Sequence, residues 1–588
     1  MRSWLVLLAI TCFSVSFSQT SPNAVNSFNS MLNSCYEEFL KLNPTLASQR
    51  GDYRYNDQLE NPAGQSYRDQ SKSIYRRYLD SLKSYSYERL SPRDQLSYQI
   101  FEYAMQRGVT AMQFKSYLTP VTQMFDFRIL FGLMGAGSSN HPFKSVKDYD
   151  DFLKRIQGFV AWTDTAISNM RQGIALNIVQ PRILMEKVVP QLKAMIVDTP
   201  SKSNFYKPII NIPAAFSQQD KQRLTDAYTT AIKEQIIPAY SRLLSFIQNE
   251  YLAKARETIA LSALPNGKEE YEFQVKSMTT TNLTPDEVYE LGKKEVVRIR
   301  KEIENVKQQV GFKGDIKAFY TFLETDPRFT PFKKDEDVVN AFHKIYDSIK
   351  PHLSAQFSVV PKTAFEIRPI EKYRAATTAA NYMRGTPDGS RPGVFYFPVI
   401  DPKKYNYWTM EDLFLHEAIP GHHYQLSLET ENTDIPNIQK IGQYGAYVEG
   451  WGLYAESLGK DLGLYKDPYT RMGQLQGEMH RAIRLVVDAG MHSKGWTREQ
   501  AIQYSLDNEP ISEANAISEI ERYISWPGQA LSYKIGELKI KEMRNKAEKA
   551  LGKKFDVRAF HYEVLKDGAM PLQIFEKKMD KWIQSQSK

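Results

Sequence analysis

Leu415-His416-Glu417-Ala418-Ile419-Pro420-Gly421-His422-His423-Tyr424-Gln425 carries the densest chemistry in this chain. The histidines at 416, 422, 423, 480 and 492 make up more than half of the chain's 9. Two histidines four apart share one helix face, so both imidazoles reach one metal ion while an intervening Glu faces the metal's water. The spacing here differs. His422 follows His416 by six residues, which on an ideal helix is a rotation of about 600° and a rise of about 9 Å. His423 returns to nearly the right face but lies about 10.5 Å along the axis. A straight helix brings neither beside His416. Pro420-Gly421 offers a route, because Pro disfavours helical geometry at Ile419 and Gly reaches backbone angles closed to other residues. A break there would return His422 or His423 to His416. Without a metal, the same residues read as a core His–Glu pair followed by a turn.

A metal site open for catalysis has three protein ligands and a fourth position for water. The third ligand is sought in 445–459, where Glu449 and Glu456 lie seven apart on one helix face. Gly450 and Gly452 each cost about 1 kcal/mol inside a helix, which predicts a close helix approach there. Further on, 479–492 reads as an apolar helix with one polar line of His480, Arg484, Asp488 and His492. An Arg484–Asp488 pair is the structural reading of that line, and His492 is expected at the site.

Upstream, 357–401 departs from the helical pattern. Phe365-Glu366-Ile367-Arg368 and 394–399 read as short strands around the loop 385–393. Thr284-Pro285-Asp286-Glu287 is a helix start, followed by Val296, Ile299, Ile303, Val306 and Val310 at helical spacing and a stop at Gly311. Helical periodicity also covers 71–114, 219–255 with a kink at Pro238, and 335–350 with a stop at Pro351. The 588 residues are 42% hydrophobic and 24% charged, which excludes a disordered chain. With 2 Cys the disulfide scaffolds are excluded, and a net charge of +8 without a basic block argues against nucleic acid as partner. The 35 Tyr and 30 Phe are an excess of rings, suited to a core or to a wet cleft. Residues 1–18 read as a signal peptide, so the protein is expected to be secreted or periplasmic, with no membrane span after cleavage. The residues before Cys12 make a poor lipobox, so a lipoprotein is not expected. Residues 19–588 are read as one helical catalytic domain of two intertwined lobes.

His416-Glu417-Ala418-Ile419-Pro420-Gly421-His422, Glu449-Gly450-Trp451, residues 279–285 and residues 527–536 resemble the family catalogued as domain of unknown function 885, with a similarity that covers about 25–580. That family is distantly similar to thimet oligopeptidase, angiotensin-converting enzyme and thermostable carboxypeptidase. The resemblance implies a mostly α, two-lobed peptidase-like fold with a deep central cleft and a small β-sheet beside the metal helix. It implies Zn²⁺ held by His416, His422 and Glu449, with His423 the alternative to His422. Glu417 is the expected general base, then acid. Tyr533 is the expected oxyanion donor, with His492 and Tyr523 in reserve, and Glu456 is expected to orient a ligand His. Arg481 or Arg484 is available to hold a substrate carboxylate, and strand 394–399 to pair with an extended peptide. The expected activity is a zinc peptidase acting on short peptides. The alternatives are a peptide-binding or small-ligand-binding protein without catalysis, and a metal-dependent amide or ester hydrolase.

Overall fold

Thr284 accepts a hydrogen bond from the Glu287 N–H at 3.2 Å, and the Glu287 carboxylate accepts one from the Thr284 N–H at 2.8 Å. This reciprocal cap starts the helix Pro285–Gln309, whose Val296, Ile299, Ile303 and Val306 are buried. Gly311, at φ +73°, turns the chain away. The computed structural model describes residues 22–587 apart from 376–377, 387–388, 390 and 443. The signal-peptide segment 1–18, with Cys12, and Pro387, Asp388 and Ser390 of the expected loop lie outside the described residues.

The architecture is mostly α, with one small sheet. Among the described residues no helix is long and apolar enough to cross a membrane. The periodic stretch 71–114 is split, since Gln65–Leu82 ends and Ser91 caps a new helix, Pro92–Ala111. The kink expected at Pro238 is taken up by a π-helical turn, Ile232–Ile236, immediately before it. The wider turn accommodates the missing Pro N–H. Pro351 does not stop its helix, which runs Asp335–Gln356. Pro351 is exposed, so water can satisfy the carbonyl that it leaves unpaired.

Three strands follow: β1 (Phe365–Pro369), β2 (Asn381–Met383) and β3 (Gly393–Phe397), in the order β1-β3-β2. β1 runs parallel to β3, with Ile367 opposite Phe395. β2 runs antiparallel, with Tyr382 opposite Phe395. β3 is therefore the central strand and both its edges are taken. The expectation that 394–399 would pair with a peptide is corrected, and the open edges of the sheet belong to β1 and β2.

The buried apolar residues fall into separate clusters. One is built from residues between Ala63 and Ala255 and centres on Phe131, Phe159 and Tyr240. Another wraps the sheet, the helix Met410–Glu417 and the C-terminal helices, and a third lies along the helix Pro468–Ser493. Helix Gly445–Ser457 crosses helix Ser532–Leu551 at Gly450 and Gly536, where each Cβ would fall on the other's backbone. The approach expected from the glycines is thus present. Gly450→Val is expected to destabilise the fold by about 2 kcal/mol or more, because backbone cannot yield as a side chain does. Urea unfolding of the variant against the parent protein measures it.

Candidate metal centre

The first ligand helix, Met410–Glu417, ends where the backbone leaves helical geometry at Ala418, at φ −106° and ψ −109°. Ile419–Pro420 is a cis peptide. The chain re-enters a helix at His422, which runs to Glu431. A Cβ on Gly421 would fall on the carbonyls of Leu415 and His416, so only glycine permits the turn to fold back this closely. The Trp451 indole N–H donates to the carbonyls of Pro420 at 2.9 Å and Gly421 at 3.3 Å, tying the turn to the helix that carries Glu449.

The break returns His422, not His423, to His416, and the two rings stand 4.9 Å apart. Nε2 of His416 lies 3.5 Å from the Glu449 carboxylate, and Nε2 of His422 lies 3.7 Å from the same oxygen. One ligand atom from each of the three lies within 4.8 Å of the others, so the group could hold a metal ion. His423 faces the sheet instead. Its Nδ1 is 2.9 Å from the Tyr382 hydroxyl, and its ring lies against Phe365. Burial lowers its pKa to about 4.

His416 Nδ1 is 2.7 Å from Glu456, which frees Nε2 to face Glu449. Gly452 makes room for this ring, since a Cβ there would lie 2.7 Å from His416 Cε1. Burial alone would lower the His416 pKa, but Glu449 and Glu456 outweigh it and hold the ring well above its usual value. Burial likewise opposes ionisation of Glu449, yet the two imidazoles hold its carboxyl far below the usual range. The Glu449 side chain keeps 25% exposure, so the cluster has a face open to solvent. Glu417, next to His416, is half-buried.

Asp412 also belongs to this cluster and was not anticipated. It lies one helical turn before His416, a spacing that signals a shared face. Burial, then the neighbouring Glu456, push its carboxyl well above the carboxylate range. Arg481 reaches to 3.9 Å from Glu456. Glu456→Ala is expected to weaken metal affinity about 10–100-fold through loss of the acceptor that orients His416. Competition with a chromophoric chelator reads that change.

His492 is fully buried, with Nδ1 accepting from the Leu261 N–H at 3.1 Å and Nε2 at 3.0 Å from the Tyr523 carbonyl. Both ring nitrogens are engaged by backbone, so a role at the site is corrected to a structural one. Arg484 does not pair with Asp488. Its Nε donates to the Tyr523 hydroxyl at 2.9 Å, and Glu519 accepts from its Nη2 at 3.1 Å. The Tyr523 hydroxyl donates in turn to Glu519 at 2.5 Å. Tyr533 is half-buried at the start of the helix that crosses the Glu449 helix, with the Arg484 guanidinium 4.5 Å over its ring.

Asp488 accepts from the Tyr271 hydroxyl at 2.7 Å and from the Gly528 N–H at 3.1 Å. Burial outweighs both and pushes its pKa from 3.8 to about 7. A carboxyl raised on folding contributes stability that is full below its unfolded pKa and is lost as pH rises through the folded one. Asp488→Asn removes this titration. The stability of the parent protein relative to the variant is therefore expected to fall between about pH 4 and about pH 8 in denaturant unfolding.

Most of the aromatic excess near the cluster is core. Trp408, Tyr424, Tyr444, Tyr447, Trp451 and Tyr454 are buried, while Tyr396, Tyr405 and Tyr407 are half-buried. Several hydroxyls tie elements together, as Tyr447 does to the Val564 carbonyl and Tyr454 to His561.

A helical bundle with a small sheet and a His–His–Glu cluster is the class that fold and site define. The profile of the family described as "Bacterial protein of unknown function (DUF885)" matches residues 44–579, and the chain belongs to that family. No curated protein matches. A crystal structure of a candidate lipoprotein from Colwellia psychrerythraea shares the fold at a TM-score of 0.87 and 25% identity, covering 96% of this chain and 99% of that one. A candidate lipoprotein of unknown function from Shewanella oneidensis matches at a TM-score of 0.74 and 20% identity, covering 94% of this chain and 99% of that one. The expectation against a lipoprotein is corrected by the Colwellia protein, whose description as a candidate lipoprotein points the other way.

Proposed function

We propose that this protein is a zinc-dependent peptidase that hydrolyses peptide bonds of short peptides, with His416, His422 and Glu449 as the metal ligands. The spacing of the donor atoms carries the reading. Ligands about 2.05 Å from a tetrahedral ion stand about 3.4 Å from one another. The separations of 3.5 and 3.7 Å between Glu449 and the two Nε2 atoms fit that edge. They are too long for hydrogen bonds between the same atoms. Two imidazoles and a carboxylate also suit zinc chemically.

When bound, zinc supplies Lewis acidity to a carbonyl oxygen and to water. The Glu417 carboxylate takes a proton from the attacking water and passes it to the leaving amine. Glu456 holds the His416 ring in the tautomer that offers Nε2. The Tyr533 hydroxyl is the proposed donor to the oxyanion, its ring steadied by Arg484. Chelator-treated protein is expected to cleave none of a mixed peptide library and to regain cleavage on addition of zinc. A zinc-loaded preparation that cleaves no peptide contradicts the reading.

A further inference from the structure

A cavity of about 630 Å³ opens where the end of the N-terminal helical segment, the loop before the helix Val146–Ala175 and the turn after β2 meet. Arg50, Lys144, Arg384 and Arg391 line it, and no carboxylate does among the described residues. The three arginines are held by contacts within the fold. Arg50 donates to the Lys440 carbonyl, and Arg391 donates to the Arg384 carbonyl at 3.2 Å. Arg384 meets Glu429 at 2.8 Å, the one carboxylate paired with it among the described residues, and that side chain is only 4% exposed. Lys144 is exposed.

The cavity has a fixed relation to the metal centre. Thr430 lines it and lies on the same helix as His422, eight residues on. That spacing is about 12 Å along the axis. The edge strand β2 runs beside this helix in the same sense. Tyr382 meets His423 and Ser427 near the ligand end, and Arg384 meets Glu429 near the cavity. An extended peptide rises about 3.3 Å per residue, so about three to four residues span the distance.

We propose that this cavity receives a carboxylate of the substrate, borne on an acidic side chain or the chain terminus three to four residues from the bond at the metal centre. The distance rests on the peptidase reading above, whereas the excess of cations does not. An acidic group entering the cavity replaces water around fixed guanidinium groups with charge-assisted hydrogen bonds. A neutral peptide gains nothing there, so selectivity follows from charge.

The test is calorimetric binding to zinc-loaded, full-length Glu417→Gln protein. Three peptides of one sequence are compared: one with Glu at the fourth position and an amidated end, one with Gln and a free carboxylate, and one with Gln and an amidated end. At least one carboxylate peptide is expected to bind about tenfold or more tightly than the neutral one. Which of the two it is names the source of the carboxylate. The preference is expected to vanish in Lys144→Gln/Arg391→Gln, and to shrink in Lys144→Gln alone should the double variant fail to fold. Equal binding of all three peptides, or a preference that persists in the folded double variant, overturns the proposal. Cleavage of the same peptides by the parent protein is read in parallel. A binding preference without cleavage removes the peptidase reading and leaves the carboxylate site.

Discussion

Glu417→Gln is expected to bind zinc as the parent protein does and to hydrolyse peptides about 10²–10⁴-fold more slowly. Gln keeps the shape of Glu and accepts hydrogen bonds, but it cannot take a proton at neutral pH. None of the three ligand atoms belongs to residue 417, so metal content is expected to stay unchanged. The loss therefore falls on kcat, through the proton passed from water to the leaving amine. Steady-state kinetics with zinc content measured on the same sample reads both quantities. A variant that cleaves at the parent rate removes Glu417 from the reaction. A variant that loses its zinc makes Glu417 part of the metal site instead.

Glu449→Ala is expected to lose both metal and activity. Structural zinc sites are worth about 10–16 kcal/mol in total, so the loss of one ligand of four is expected to weaken binding by about two to three orders of magnitude. The local electrostatics add to this. Among the described residues Glu449 is the one carboxylate grouped with both imidazoles, and without it two imidazoles face one another. Equilibrium dialysis against zinc reads the change directly. Parent-like affinity in this variant contradicts the ligand assignment, whereas His423→Ala is expected to leave affinity near the parent value because its ring faces Tyr382.

Much of the helical frame is legible in the sequence because helices announce themselves locally. Thr284-Pro285-Asp286-Glu287 caps, and the valine and isoleucine spacing behind it defines the buried face. Gly450 is legible as a packing residue, since a glycine that costs helix stability calls for a close neighbour, and Gly536 is that neighbour. The sheet is only half legible. β2 has three residues and lies among polar and small ones, so neither its existence nor the central position of β3 is written in alternation.

At the site, the Pro420-Gly421 break shows that a straight helix fails, but periodicity leaves two histidines eligible. Their choice depends on the non-helical angles at Ala418 and on Trp451 binding the turn from a different helix. His492 illustrates the reverse difficulty. A histidine in a polar line near a catalytic motif resembles a site residue, while its actual partners, Leu261 N–H and Tyr523 C=O, are backbone groups that no side-chain pattern encodes. Asp412 was within reach of the sequence, since it stands four residues before His416 on the same helix, yet its meaning comes only with Glu456 beside it.

The central claim is that one metal ion sits among His416, His422 and Glu449. An anomalous-difference map recorded at the zinc edge, from crystals of protein supplied with zinc, tests it most directly. The expected result is a single strong peak about 2.0–2.2 Å from Nε2 of His416, Nε2 of His422 and a carboxylate oxygen of Glu449. The absence of a peak there, or a peak ligated by His423 in place of His422, would contradict it.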